Sequence, residues 1–94
     1  MEVQVDGFDW DDANVGHIQR HSVTPSEVEE AVARMHVTAA AESAHGEKRW
    51  KLFGKTASGR HIVVVFTIRC NLFRTITAYR MNMADRRRYA PQID

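Results

Sequence analysis

Ninety-four residues with 44% apolar side chains supply one domain with a single core and leave no room for a second. The one cysteine, Cys70, excludes an internal disulfide, the longest apolar run falls short of the ~20 residues of a membrane helix, and the acidic amino terminus lacks an apolar signal segment, so a cytoplasmic location and no membrane partner are expected. The net charge of +1 conceals a polarised chain: residues 1–47 hold ten acidic and two basic side chains and residues 48–94 hold two acidic and eleven basic, about −8 against +9. Such asymmetry means either an anionic partner for the basic half or mutual neutralisation within the folded domain.

In chain order, Met1 to Asp6 alternates around Val3 and Val5 and predicts a short edge strand or arm, broken at Gly7. Asp11 or Asp12 caps a helix expected to reach His21. Three- and four-residue spacing puts Ala13, His17 and Arg20 on one side of it and Asn14, Ile18 and His21 on the adjacent one. His17 and His21 are thus neighbours one turn apart. A zinc site needs more ligands, and neither Cys70 nor His45 is placed by spacing to supply them, so no metal is expected.

Thr24-Pro25-Ser26-Glu27 reads as a capping box with proline in the first helical position. The helix it starts is expected to run to about Met35, burying Val28, Ala31, Val32 and Met35 and turning Glu27, Glu29, Glu30 and Arg34 outward. His36 to Ala41 reads as extended or loose, and Glu42 to Glu47 as a loop. From Lys48 to Lys55 the chain alternates, with Arg49, Lys51, Phe53 and Lys55 on one face of a strand and Lys48, Trp50, Leu52 and Gly54 on the other. Thr56 to Gly59 turns it into Ile62–Ile68, a continuous β-branched and aromatic run that predicts a central strand covered on both faces. Arg69-Cys70-Asn71-Leu72 makes a hairpin turn with Asn71 suited to left-handed backbone, and Phe73 to Ala78 forms the returning strand. Arg60, Arg69, Arg74 and Arg80 stand at the strand margins. A last helix is expected from Ala84 to about Tyr89, ended by Pro91, with Arg86, Arg87 and Arg88 matching its carboxyl-terminal dipole. The resulting fold class is α+β: two amino-terminal helices against one face of a three- to four-stranded antiparallel sheet, with a short carboxyl-terminal helix.

Glycine-rich phosphate loops, paired cysteines and a serine nucleophile elbow are absent from the sequence, and nothing places a base beside Cys70. What remains is a sheet bearing cations and aromatic rings. Guanidinium forks suit phosphate oxygens, and Phe53 or Tyr79 offers a surface on which unpaired bases stack, properties that fit single-stranded RNA. RNA cleavage needs no cofactor, because the 2′-hydroxyl attacks phosphorus once a base takes its proton and cations hold the transition-state charge.

From Phe8 to Tyr89 the sequence resembles the BrnT toxins of bacterial toxin–antitoxin modules, small ribonucleases with a RelE-like fold. The resemblance is carried by Phe8-Asp9-Trp10-Asp11 with Asn14; by Arg20-His21-Ser22-Val23-Thr24; by Glu27 to Ala31; by Arg49-Trp50; by Gly59-Arg60 before a valine-rich strand; and by Arg74-Thr75-Ile76-Thr77-Ala78 followed by Asp85 and Tyr89. It implies an mRNA-cleaving toxin that blocks translation, an RNA substrate, a cognate BrnA-like antitoxin, and operator DNA contacted only through the antitoxin complex. Arg49, Arg60, Arg74 and Arg80 become the phosphate cations, Tyr79 or His61 the proton-transfer group, and Lys48, Lys51, Phe53 and Lys55 the RNA-binding surface. Three positions depart from the family pattern: Thr77-Ala78-Tyr79 stands where Ser-Ala-Arg is common, Asp85 where Glu is usual, and Ser22 where Gly is usual. Either Arg80 supplies the missing guanidinium or Tyr79 acts through its hydroxyl. A catalytically impaired RNA- or protein-binding module of the same fold is the alternative.

Overall fold

Asp11 and Thr24 each start a helix through a reciprocal capping box: Asp11 Oδ1 accepts from the Asn14 amide while Asn14 Oδ1 accepts from the Asp11 amide, and Thr24 and Glu27 do the same one helix later. The computed structural model describes residues 3–94. Its elements are β1 (Gly7–Phe8), α1 (Asp12–Gln19), α2 (Pro25–Ala33), β2 (Val37–Ala44), β3 (Glu47–Lys55), β4 (His61–Arg69), β5 (Leu72–Arg80) and α3 (Met83–Ile93). The class is α+β, as expected, and the details differ in instructive ways.

The sheet has five strands in the order β1-β5-β4-β3-β2, and it is mixed: β1 runs parallel to β5, and every other pairing is antiparallel. The segment read as loose chain and loop, His36 to Glu47, instead supplies β2. Its alanines carry little strand preference of their own, but they pair with β3, and His45 (φ 53°) and Gly46 (φ 74°) close a two-residue left-handed turn that sets the register. The edge strand expected within Met1–Asp6 lies at Gly7–Phe8, beside Leu72 and Phe73, and Met1 and Glu2 of that expectation fall outside the described residues. Cys70 and Asn71 (φ 51° and 59°) form the second left-handed turn, between β4 and β5.

Strand register divides the core in two. Leu52, Val64 and Ala78 lie in one row across the sheet and, with Ile62, Phe66 and Phe73, pack under Ile18, Val23, Val28 and Ala31 of the α1–α2 layer. Phe53, Val63 and Tyr79 form the neighbouring row on the opposite face, where Met81, just before α3, and Ile93 of α3 pack with them. The helices therefore occupy both faces of the sheet, not one. Gly54 permits the close approach of α2: a Cβ there would stand 3.1 Å from Ala31 Cβ and 3.3 Å from its carbonyl oxygen.

All three helices have boundaries that differ from expectation. α1 stops at Gln19, because Ser22 turns left-handed (φ 59°) and the amides of His21 and Val23 both return to the Ile18 carbonyl. α2 stops at Ala33, so Met35 falls off the apolar stripe and is 70% exposed. α3 starts at an Asn82 cap and runs through Pro91 to Ile93. Proline there removes a single amide donor near the helix end, and burial of Ile93 holds the last turn in place. Among the described residues no helix is long and apolar enough to cross a membrane.

Candidate functional site

The acidic half of the chain neutralises part of the basic half. Arg60 Nη1 donates to Glu27 Oε2 at 2.7 Å and to the Ser22 carbonyl at 2.9 Å, tying the α1–α2 turn to the start of β4. Arg69 pairs with Glu47 at 2.9 Å across the two hairpins. Arg74 reaches Asp11 at 3.0 Å and Asp9 at 3.4 Å, which anchors the β1–α1 loop to β5. The Asn14 amide, followed by Arg74, holds the Asp11 carboxyl below the usual range, and Asp11 in turn raises Arg74. Arg60 and Arg74, read from sequence as phosphate cations, thus already serve tethers within the fold.

His61 is also engaged. Its Nε2 lies 2.8 Å from Asp94 Oδ1, its side chain is 9% exposed, and Lys55 Nζ approaches the same oxygen at 3.2 Å. The His61 contact, then that of Lys55, lowers the Asp94 carboxyl. These two side chains clamp the end of α3 to the sheet.

Among the cations without such partners, those in two separate places bear on a site. On the α3 face, Arg49 and Lys51 of β3 precede Phe53, and Lys51 shares a row with Val65 and Thr77. Tyr89 of α3 stacks on Phe53 with centroids 3.8 Å apart, and neither Arg49 nor Lys51 belongs to the apolar cluster around that stack. Arg49 Nε is buried there without a hydrogen-bond partner, a donor that a bound anion would satisfy. Lys48 lies on the opposite face and is exposed.

The second place is a cleft of about 270 Å³ lined by Gly59, Arg60, His61, Arg80, Met81 and Arg86. Three guanidinium groups border it. Arg80 and Arg86 have no ion pair among the described residues, so the cleft is suited to phosphate. Tyr79 adjoins it in sequence, but the register directs Tyr79 towards the α3 face and Arg80, opposite Ile62, towards the α1–α2 face.

Sequence reasoning missed Arg86. A helix ending at Tyr89 made the arginine triplet a carboxyl-terminal feature, whereas α3 extends to Ile93 and places Arg86 immediately after the first turn. The dipole offers no favour to a cation at that end. His21, seen in the sequence only as the neighbour of His17 one turn apart, meets the Tyr79 ring edge-on at 6.2 Å between centroids. Its distance from Tyr79 in sequence left no signal. Among the described residues no group of three or more His, Cys, Asp or Glu side chains could hold a metal ion.

Residues 10–85 match the family model described as "Ribonuclease toxin, BrnT, of type II toxin-antitoxin system". The chain belongs to the BrnT toxin family. No curated protein matches it. Membership of a type II toxin–antitoxin family implies an antitoxin partner, and within this BrnT chain the matched span contains Arg49, Arg60, His61, Arg74, Tyr79 and Arg80 together with the capped helices that position them.

Proposed function

We propose that this BrnT family member is a metal-independent endoribonuclease with a RelE-like fold, which cleaves mRNA in the cytoplasm and so blocks translation. A cognate BrnA-like antitoxin neutralises it and brings the complex to operator DNA. The observation that carries this reading is the cleft between Arg60, Arg80 and Arg86, whose last two guanidinium groups have no ion-pair partner among the described residues. Cations left unmatched beside a small cleft, in a chain that pairs Arg60, Arg69 and Arg74 with carboxylates, are arranged to receive a phosphate.

In this reading the scissile phosphate sits in the cleft. The ribose 2′-oxygen attacks phosphorus, the bond to the 5′-oxygen breaks, and a 2′,3′-cyclic phosphate and a 5′-hydroxyl are released. Arg80 and Arg86 hold the charge of the five-coordinate transition state, and Arg60 adds to the same field while keeping its tether. Arg49, Lys51 and the exposed part of the α3 face carry the flanking strand, with electrostatic attraction that weakens as salt rises. Phe53 is stacked under Tyr89 and so contributes through packing.

Growth and bulk RNA integrity after induced expression test the reading, with Arg80→Ala compared at matched protein level. Growth arrest with RNA breakdown, relieved by Arg80→Ala, is the expected result. A second reading, an RNA- or protein-binding module without turnover, is favoured by the placement of Tyr79 and Arg80 on opposite faces. It requires abundant folded protein, normal growth and intact RNA, with Arg80→Ala lowering only affinity.

A further inference from the structure

We infer that the outer side of α3 is the docking surface for the antitoxin, where it takes an acidic segment with an apolar anchor; the inference rests on the toxin–antitoxin reading above. Two stripes run along α3 at three- and four-residue spacing. Tyr89 and Ile93 turn inward, towards Phe53 and the smaller core cluster. Met83, Arg86, Arg87, Ala90 and Pro91, with Asp94 at the end, line a hollow of about 580 Å³. No strand residue contributes to that lining, so the hollow lies on the side of the helix away from the sheet.

Met83 is 72% exposed, whereas Met81, two residues earlier, is buried. A single methionine in water is ordinary, but here it continues into Ala90 and Pro91 and is rimmed by charge, the arrangement of a contact surface. Arg86 and Arg87 have no ion pair among the described residues. The one carboxylate at the hollow, Asp94, is already held by His61 at 2.8 Å and Lys55 at 3.2 Å. The unmatched charge is therefore positive.

Aliphatic surface beside two free guanidinium groups fits a protein segment that brings carboxylates and an aliphatic side chain. RNA fits less well: Met83, Ala90 and Pro91 offer no ring for a base, and Tyr89 is engaged with Phe53. A second copy presenting the same face would set arginine against arginine. Of the partners that membership of a toxin–antitoxin family implies, the antitoxin is the protein one.

Arg86 gives the surface its consequence, because it lines both this hollow and the cleft with Arg60 and Arg80. A carboxylate seated on Arg86 takes the donors that a phosphate requires. Antitoxin and RNA thus compete for one guanidinium, and the cleft is blocked from its α3 side while the Arg60 tether to Glu27 stays intact.

The test uses the full chain and the full-length cognate antitoxin, with calorimetry for binding, a short single-stranded RNA for cleavage and the all-deoxy strand of the same sequence for occupancy of the cleft. Met83→Glu puts a carboxylate into the hollow at the first position of α3, where the helix dipole favours it, so the helix is retained. Arg87→Glu reverses one of the two charges at an exposed position outside the cleft. Each variant is expected to weaken antitoxin binding by at least ~10-fold. Without antitoxin, Met83→Glu should cleave RNA and bind the deoxy strand within about threefold of the parent. On the parent, saturating antitoxin should release the deoxy strand.

Antitoxin affinity within about threefold of the parent in both variants overturns the inference. So does a Met83→Glu chain that keeps the antitoxin and loses the deoxy strand, which would make the hollow an RNA surface, or a parent that self-associates through it. A parent complex holding antitoxin and deoxy strand together overturns the competition at Arg86. A parent that cleaves no RNA, yet loses the antitoxin on these substitutions, overturns the ribonuclease reading alone, whereas cleavage with unchanged antitoxin binding in both variants overturns the docking surface alone.

Discussion

Tyr89 lies flat on Phe53, with centroids 3.8 Å apart and planes 15° from parallel, and this stack fixes which half of the sheet face α3 covers. Phe53, Val63 and Met81 are buried together with Ile93 of the helix, while Arg49 and Lys51 lie outside that cluster. Removing the ring by Tyr89→Ala is expected to destabilise the domain by about 2–4 kcal/mol, somewhat below a fully buried aromatic truncation, and Tyr89→Phe by less than about 1 kcal/mol. Urea unfolding of the two variants measures both.

Asn14 is buried on α1, where its side-chain amide donates to the carbonyls of Asp9 at 2.8 Å and Thr75 at 3.2 Å and its oxygen completes the Asp11 capping box. Asn14→Ala leaves several backbone groups without partners at the junction of β1, α1 and β5. A loss of about 2–3 kcal/mol is expected from the desolvated groups and the broken cap, seen as a lower urea midpoint at unchanged slope.

Asp11 and Asp94 both have carboxyls lowered in the folded state, by the Asn14 amide with Arg74 and by His61 with Lys55. A lowered folded value means the unfolded chain binds protons first as pH falls. Their stabilising contribution is therefore fully present above the ordinary aspartate value of about 4 and is lost as pH drops through the lowered folded values. Stability measured from pH 7 down to pH 2 should decline in that acid range, and Asp94→Asn should flatten part of the decline.

Arg80 and Arg69 offer a paired comparison. Arg69 is half-exposed and bonded to Glu47 at 2.9 Å, a surface pair remote from the cleft. Arg69→Ala should change stability by no more than about 1 kcal/mol and leave RNA cleavage at the parent rate. Arg80→Ala should leave stability within about 0.5 kcal/mol and cut cleavage by roughly 100- to 1000-fold. Urea unfolding and cleavage of one RNA by both variants decide this.

The β4–β5 turn carries two non-glycine residues in left-handed backbone, Cys70 and Asn71. Asn and Gly occupy such positions with less strain, so Cys70→Asn combined with Asn71→Gly should stabilise the hairpin by about 0.5–1 kcal/mol. Thermal melting of the double variant provides the check.

Local signals were legible where the physics is local. Thr24-Pro25-Ser26-Glu27 specifies its capping box within four residues, and Ile62–Ile68 declares a buried strand through β-branched side chains alone. The alternation from Lys48 to Lys55 assigned Arg49, Lys51, Phe53 and Lys55 to one face, as the register confirms. β2 was not legible, because an alanine-rich stretch becomes a strand only when β3 offers it hydrogen bonds. The end of α3 was misread because the penalty of Pro91 is local, whereas burial of Ile93, which outweighs it, is tertiary.

The sequence by itself determined the α+β class, the two capped helices, the β4–β5 hairpin, the polarised charge and the resemblance to BrnT toxins. Only the tertiary structure decided which arginines remain unpaired. Arg60, Arg74 and His61 are spent on Glu27, Asp11 and Asp94, partners 33, 63 and 33 residues away, while Arg80 and Arg86 meet at a cleft and His21 meets Tyr79. Composition counts charges, but their pairing depends on which chain segments the sheet and its covering helices bring within a few ångströms, where Coulomb attraction and hydrogen bonding select one partner over another.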